Sequence, residues 1–145
     1  MKKTDPPITV TETFDCSINQ LWSALTEPEQ MIQWYFEQIR EFRPESGFET
    51  EFVVKVEDRI YTHQWKILEV RPLELIELQW RYEEHDGDAS VKFHLSEEDD
   101  LSKLRLTMNI YEDFPSNIPE FERSSCIEGW NYFIKQRLKD YIERQ

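Results

Sequence analysis

The sequence predicts an α+β domain, a curved antiparallel sheet closed over one long C-terminal helix. Three observations carry that prediction. Apolar and polar residues alternate through most of the stretch 37–113, short turn clusters interrupt the alternation, and the apolar residues after 125 switch to helical spacing. Short links between strands make antiparallel hairpins, because parallel pairing needs a long crossover.

The elements follow in order. Residues 8–14, Ile-Thr-Val-Thr-Glu-Thr-Phe, are rich in β-branched side chains and alternate, so they read as a strand. Ser17-Ile18-Asn19-Gln20 is a capping box, with Ser at the N-cap and Gln reaching back to it. It opens a short helix through Leu21, Trp22 and Leu25, and Pro28 starts a second through Met31, Ile32 and Trp34. Six further strands are expected near 37–44, 48–57, 60–70, 73–83, 89–96 and 101–112, making seven with the first. The turns between them include Pro44-Glu45-Ser46-Gly47, Arg71-Pro72, His85-Asp86-Gly87-Asp88 and Glu97-Glu98-Asp99-Asp100.

Parity assigns the faces. Phe48, Phe52, Val54, Val56, Trp65, Ile67, Ile76, Leu78, Trp80 and Tyr82 share one face, continued by Val91, Phe93, Leu95, Leu104, Leu106, Met108 and Ile110. Charged residues such as Glu49, Glu51, Lys66, Arg81 and Arg105 take the other, and the parity breaks between Leu68 and Leu75, at a bulge or at the Pro72 turn. The dry face needs a cover, which 117–145 supplies through Ile127, Trp130, Ile134, Leu138 and Tyr141, with Phe133 and Ile142 widening the stripe. Capping boxes at Asn117–Glu120 and Ser125–Glu128 predict a break near Ser124. Gly129 stands inside the helix at a cost of about 1 kcal/mol relative to Ala, which a close approach of helix to sheet would offset.

The totals restrict the function. A chain of 145 residues makes one domain, 1–145, with 1–7 as a flexible N-terminal tail. A net charge of −13, from 30 acidic and 17 basic residues, argues against nucleic acid and anionic membranes as partners. It favours a monomer or small homo-oligomer. Cys16 and Cys126 alone are no disulfide framework, which points to free thiols in a reducing compartment. No apolar run follows the basic N-terminus and none reaches the roughly 18 residues of a membrane span, so a cytoplasmic protein is expected.

The order strand, two short helices, six strands and long helix resembles the helix-grip fold of the START-like (SRPBCC) superfamily. Within it the chain is similar to the family named after the activator of heat-shock protein 90 ATPase. The likeness is carried by Leu21-Trp22-Ser23-Ala24-Leu25-Thr26-Glu27-Pro28-Glu29, Trp34-Tyr35, Ile67-Leu68-Glu69-Val70-Arg71-Pro72, Leu78-Gln79-Trp80, Gly129-Trp130 and Leu138-Lys139. The resemblance implies a sheet gripping the long helix over a hydrophobic cavity. It implies no single activity, since such relatives include lipid binders, cyclases, hormone receptors and chaperone activators.

Candidate chemistry is sparse. His63, His85 and His94 show no metal-ligand spacing, Asp86-Gly87-Asp88 lacks the later ligands of a calcium loop, and three scattered glycines make no phosphate loop. No metal and no cofactor is therefore expected. Glu12 and His63 share the parity of the dry face and could act as acid and base, as in a cyclase or hydrolase, or lie hydrated at a cavity mouth. The aromatics are the stronger signal. Trp65, Trp80, Phe52, Phe93, Trp130 and Phe133, with Met108, fall on facing surfaces, and Trp34 and Tyr35 are expected near an entrance. Packed together they are core, and held apart they line a pocket for a small hydrophobic molecule; parity leaves both open. The leading expectation is non-catalytic binding of a lipid-like or aromatic ligand. A chaperone-binding module using the acidic outer face is the alternative.

Overall fold

The computed structural model describes residues 1–145. Strand β1 (Ile8–Phe14) is followed by α1 (Ile18–Thr26) and α2 (Pro28–Trp34), then by β2 (Glu49–Val56), β3 (Arg59–Arg71), β4 (Leu75–Tyr82), β5 (His85–Glu98) and β6 (Leu101–Glu112). A 3₁₀ turn at Pro119–Phe121 leads into the closing helix, made of α3 (Arg123–Asn131), a π-helical stretch at Tyr132–Leu138 and α4 (Lys139–Glu143). The strands form one antiparallel sheet in the order β1-β6-β5-β4-β3-β2. It wraps the helix as the parity of the sequence requires: Trp65, Ile67, Ile76, Leu78, Trp80, Val91, Phe93, Leu104 and Leu106 are all buried.

The sheet has six strands, not seven. The expected strand at 37–44 forms no ladder, although Ile39 and Phe42 are buried. Those two apolar residues stand three apart, which would put them on opposite faces of a strand, whereas an irregular chain can turn both inward. The parity break does fall at a bulge, between Ile67 and Glu69.

The turn expected at 85–88 is also corrected. His85-Asp86-Gly87-Asp88 is not a turn but the start of β5, and the hairpin is closed by Glu83 and Glu84, with Tyr82 paired to His85. The Glu84 carboxylate ties the hairpin down by accepting from the Thr62 backbone N–H at 2.7 Å and from the Thr62 hydroxyl. Gly87 is required because its φ is +127° and because a Cβ would lie 2.3 Å from the Phe114 ring. Gly87→Ala is expected to cost about 3 kcal/mol by combining backbone strain with overpacking, readable as a lower urea midpoint at unchanged slope.

The closing helix shows no break at Ser124. It begins after Glu122, and the backbone stays right-handed helical through Asn131, Tyr132 and Leu138 to Lys139. The Gly129 expectation also fails, since a Cβ there would meet nothing within 4 Å. Residues 1–7, expected as a flexible tail, lie against the domain: the Met1 carbonyl accepts from Phe114 N–H at 2.9 Å, Lys3 N–H donates to Asp113 at 2.7 Å, and Arg123 donates to the Pro6 carbonyl at 2.6 Å.

Candidate ligand pocket

The cross-strand register sets the inner surface in rows. Phe52, His63 and Tyr82 stand opposite one another across β2, β3 and β4, and Trp65, Trp80 and Ala89 make the next row. Ala89, fully buried, is the cross-strand partner of Trp80 and the smallest side chain of that row. Above the rows runs the helix, with Trp130 edge-on to Trp80 at 5.5 Å between ring centroids.

The two ends of this interface differ. At one end the aromatics are packed solid. Trp34 is 1% exposed, donates its indole N–H to the Ala24 carbonyl at 2.7 Å and stacks on Tyr35 at 4.6 Å. Tyr35 in turn meets Trp65 and Phe133, and Phe42 meets Trp65 edge-on. At the other end, sheet and helix stand apart and enclose a pocket of about 380 Å³. Its sheet wall is Val54, Val56, Tyr61, His63, Trp80, Tyr82 and Met108. Its helix wall is Ser125, Cys126, Gly129, Trp130 and Phe133, and Phe36, Phe114, Phe121 and Met1 close the sides.

The aromatic signal therefore divides. Trp80, Met108, Trp130 and Phe133 stand on the pocket wall; Phe52, Trp65 and Phe93 lie in the packed core, as do Trp34 and Tyr35, which occupy no entrance. Val54, Val56 and Tyr82 also reach the wall, and their parity is right, but parity alone does not separate pocket from core. Phe36, Phe114 and Phe121 sit in or beside irregular segments, where no period points to them. Gly129 carries a signal with two meanings: a glycine inside a helix can mark open space as well as a close approach.

His63 and Glu12 do not meet. His63 lines the pocket at 4% exposure, stacked on Phe52 at 4.7 Å, with Nδ1 3.2 Å from the Tyr61 carbonyl. Burial depresses its pKa to about 4, against the weaker upward pull of the Tyr61 carbonyl and Glu84, so the ring is neutral at pH 7. Glu12 is no part of the pocket wall and is held by Lys139 at 3.2 Å and Lys135 at 3.8 Å. Partial burial pushes its carboxyl up, but the Thr13 N–H and Lys139 outweigh that and leave it below the usual range. The arrangement supplies no acid–base pair from these two residues.

The remaining polar groups are few. At the mouth, Glu120 accepts from Arg59 and from the Tyr61 hydroxyl at 2.8 Å, and the Arg59 contact holds its carboxyl below the ordinary range. Inside, Cys126 and the Trp130 indole both donate to the Met108 sulfur, at 3.5 and 3.4 Å, and burial pushes the Cys126 thiol up to about 11. Burial likewise raises the Tyr35 and Tyr82 phenols above their ordinary values. The indole N–H groups of Trp65 and Trp80 and the Tyr35 hydroxyl are buried without a hydrogen-bond partner. No three His, Cys, Asp or Glu side chains cluster in a way that could hold a metal ion. No helix is long and apolar enough to cross a membrane.

The sequence profile of the activator of Hsp90 ATPase homolog 1-like protein family matches residues 15–143. The chain belongs to that family. Its fold is the helix grip of the START-like superfamily, and solved structures share it. CV1439 from Chromobacterium violaceum is 19% identical with a TM-score of 0.76, over 94% of this chain and 96% of that one. CalU16 from Micromonospora echinospora is 23% identical with a TM-score of 0.66, over 94% and 73%. DynU16, a protein of the dynemicin biosynthetic locus, is 18% identical with a TM-score of 0.75, over 96% of this chain but 48% of its own, so this family member spans about half of DynU16. At these identities the likeness is one of fold. No curated protein matches the chain in sequence.

Proposed function

We propose that this family member binds a small hydrophobic molecule between sheet and helix, without turning it over. The observation that supports the reading is the pocket itself: about 380 Å³, with 13 hydrophobic residues among its 17. That size and lining are those of small-molecule sites, which are mostly apolar with a few placed polar groups. The polar complement offers no nucleophile with a neighbouring base, since Cys126 is held as a thiol and His63 has no carboxylate partner on the pocket wall.

Gly129 provides the test. A Cβ there meets no existing atom within 4 Å and Gly129 lines the pocket, so Gly129→Leu would extend into that space while removing a helix-interior glycine. The wild type is expected to bind N-phenyl-1-naphthylamine, a neutral fluorescent probe, and to gain thermal stability in its presence. Gly129→Leu is expected to lose at least about tenfold in affinity, while its own stability stays equal or rises by up to about 1 kcal/mol. Equal probe binding by both proteins would remove this pocket as the site.

A further inference from the structure

The two edges of the sheet are finished differently. Along β1, side chains occupy the outward backbone groups: the Thr11 carbonyl accepts from Lys135 Nζ at 2.9 Å and the Thr13 carbonyl from Lys139 Nζ at 3.0 Å. The Thr13 N–H donates to the Glu12 carboxylate at 2.8 Å. Charged groups set against an edge in this way block another strand from adding to it.

Strand β2 has no such guard. The register faces Val53 with Thr62, whose N–H donates to the Glu84 carboxylate at 2.7 Å and whose carbonyl accepts from Glu83 N–H at 3.1 Å, both in the turn after β4. Val53 therefore turns its own N–H and carbonyl away from the sheet, and by alternation so do Glu51 and Lys55. No loop bonds to these outward groups, and the one side-chain hydrogen bond along them is remote from the backbone, from Gln64 to the Glu51 carboxylate at 3.5 Å. Glu51, Val53 and Lys55 are all exposed, Val53 to 44%. Neither charge has an ion-pair partner in the chain.

These three residues are complementary to their own copy. In an antiparallel pairing centred on Val53, Val53 meets Val53 and each Glu51 meets Lys55 of the second copy. The three residue pairs each exchange two backbone hydrogen bonds. A parallel pairing in register would set Glu51 on Glu51 and Lys55 on Lys55, which like charge opposes. The ladder stops at Glu57, where a φ of +59° turns the chain toward β3. Because the β1 edge is blocked, the contact is β2 against β2, an isologous one that closes at two copies.

We infer that the protein self-associates through β2, in the antiparallel register centred on Val53, so that two six-stranded sheets become one. The contact is short, and the dimer is correspondingly weak, with a dissociation constant on the order of 10 µM.

Sedimentation velocity of the whole chain, at loadings from about 1 to about 300 µM, tests this. The wild type is expected to pass from a 17.7 kDa monomer to a species of twice that mass. Lys55→Glu sets two carboxylates face to face at each end of the ladder and is expected to weaken association by at least about tenfold. Glu51→Lys opposes two ammonium groups and is expected to do the same. Combining the two exchanges the charges and is expected to restore the dimer, since only this register sets the two positions on each other. All these changes fall on exposed side chains, so the urea midpoints of dilute protein are expected to stay near the wild-type value. A wild type that sediments as a monomer throughout would overturn the inference. So would association beyond two copies, or a dimer that survives in both single variants. Single variants that dissociate, with a double variant that fails to recover, would overturn the register centred on Val53.

Discussion

Lowering the pH from about 7 to about 4.5 is expected to cost the protein up to about 3 kcal/mol of stability through His63 alone. The imidazole is packed among Phe52, Phe36, Trp80 and Tyr82, and burial lowers its pKa from 6.5 to about 4. In the unfolded chain the ring takes up a proton as the pH falls through 6.5, whereas in the folded protein it does so only near 4. Between those values the unfolded state holds more protons, so stability falls as pH falls, and the loss is complete once the folded ring protonates. The buried or bonded carboxylates Glu12, Glu84 and Glu120 have folded pKa values below 4.5, so their contribution is lost in a lower window. Urea unfolding at a series of pH values separates the two. His63→Phe, which keeps a ring in the aromatic stack, is expected to flatten the curve between about pH 6.5 and 4.5 and to leave the steeper fall below it. Parallel curves for the two proteins would mean that the folded state accepts the proton freely, and that His63 is hydrated instead of buried.

Trp34→Ala is expected to destabilise the fold by about 4 kcal/mol, more than either the loss of His63 neutrality or Gly87→Ala. Trp34 is 1% exposed, so truncation leaves a large cavity, and it also removes the indole N–H that satisfies the Ala24 carbonyl. Tyr35 would lose the ring it lies parallel to, at an interplanar angle of 2°, and with it the support that positions Tyr35 against Trp65 and Phe133. Trp34→Phe separates the terms: it retains most of the apolar area but unpairs the carbonyl, for about 1–2 kcal/mol. Urea unfolding of the two variants beside the wild type reads both losses. An entrance residue would behave in the opposite way, costing under about 1 kcal/mol on truncation and weakening ligand binding. That outcome would restore Trp34 to the pocket entrance, where its position after two short helices first suggests it belongs.

Parts of the sheet were legible because burial on one face imposes period two. Residues 8–14 pair with β6 from end to end, and the parity break was legible because the Ile67/Glu69 bulge shifts the alternation. The failures came where a local signal had a second meaning. Ile39 and Phe42 are buried without a strand because three-residue spacing suits an irregular inward turn. Asp86-Gly87-Asp88 looks like a turn, yet Gly87 serves a strand that Phe114 crosses at close range. Ser125 is a good cap residue, but the helix starts earlier, after Glu122. At Gly87 a contact distant in sequence, with Phe114, outweighed a short-range preference.

Within the strands and the closing helix, the sequence by itself determined most of the side chains that turn inward, because alternation and helical spacing are properties of neighbouring residues and survive any packing arrangement. It likewise determined that the interior would be rich in rings and that few reactive groups would accompany them. Only the tertiary structure decided which rings fill the core and which border the pocket. That division depends on the distance between sheet and helix and on Phe36, Phe114 and Phe121, brought in from outside the strands and the closing helix. A cavity is the small difference between enclosed space and the side-chain volume that fills it, and no periodic signal along the chain encodes a difference between surfaces so far apart in sequence.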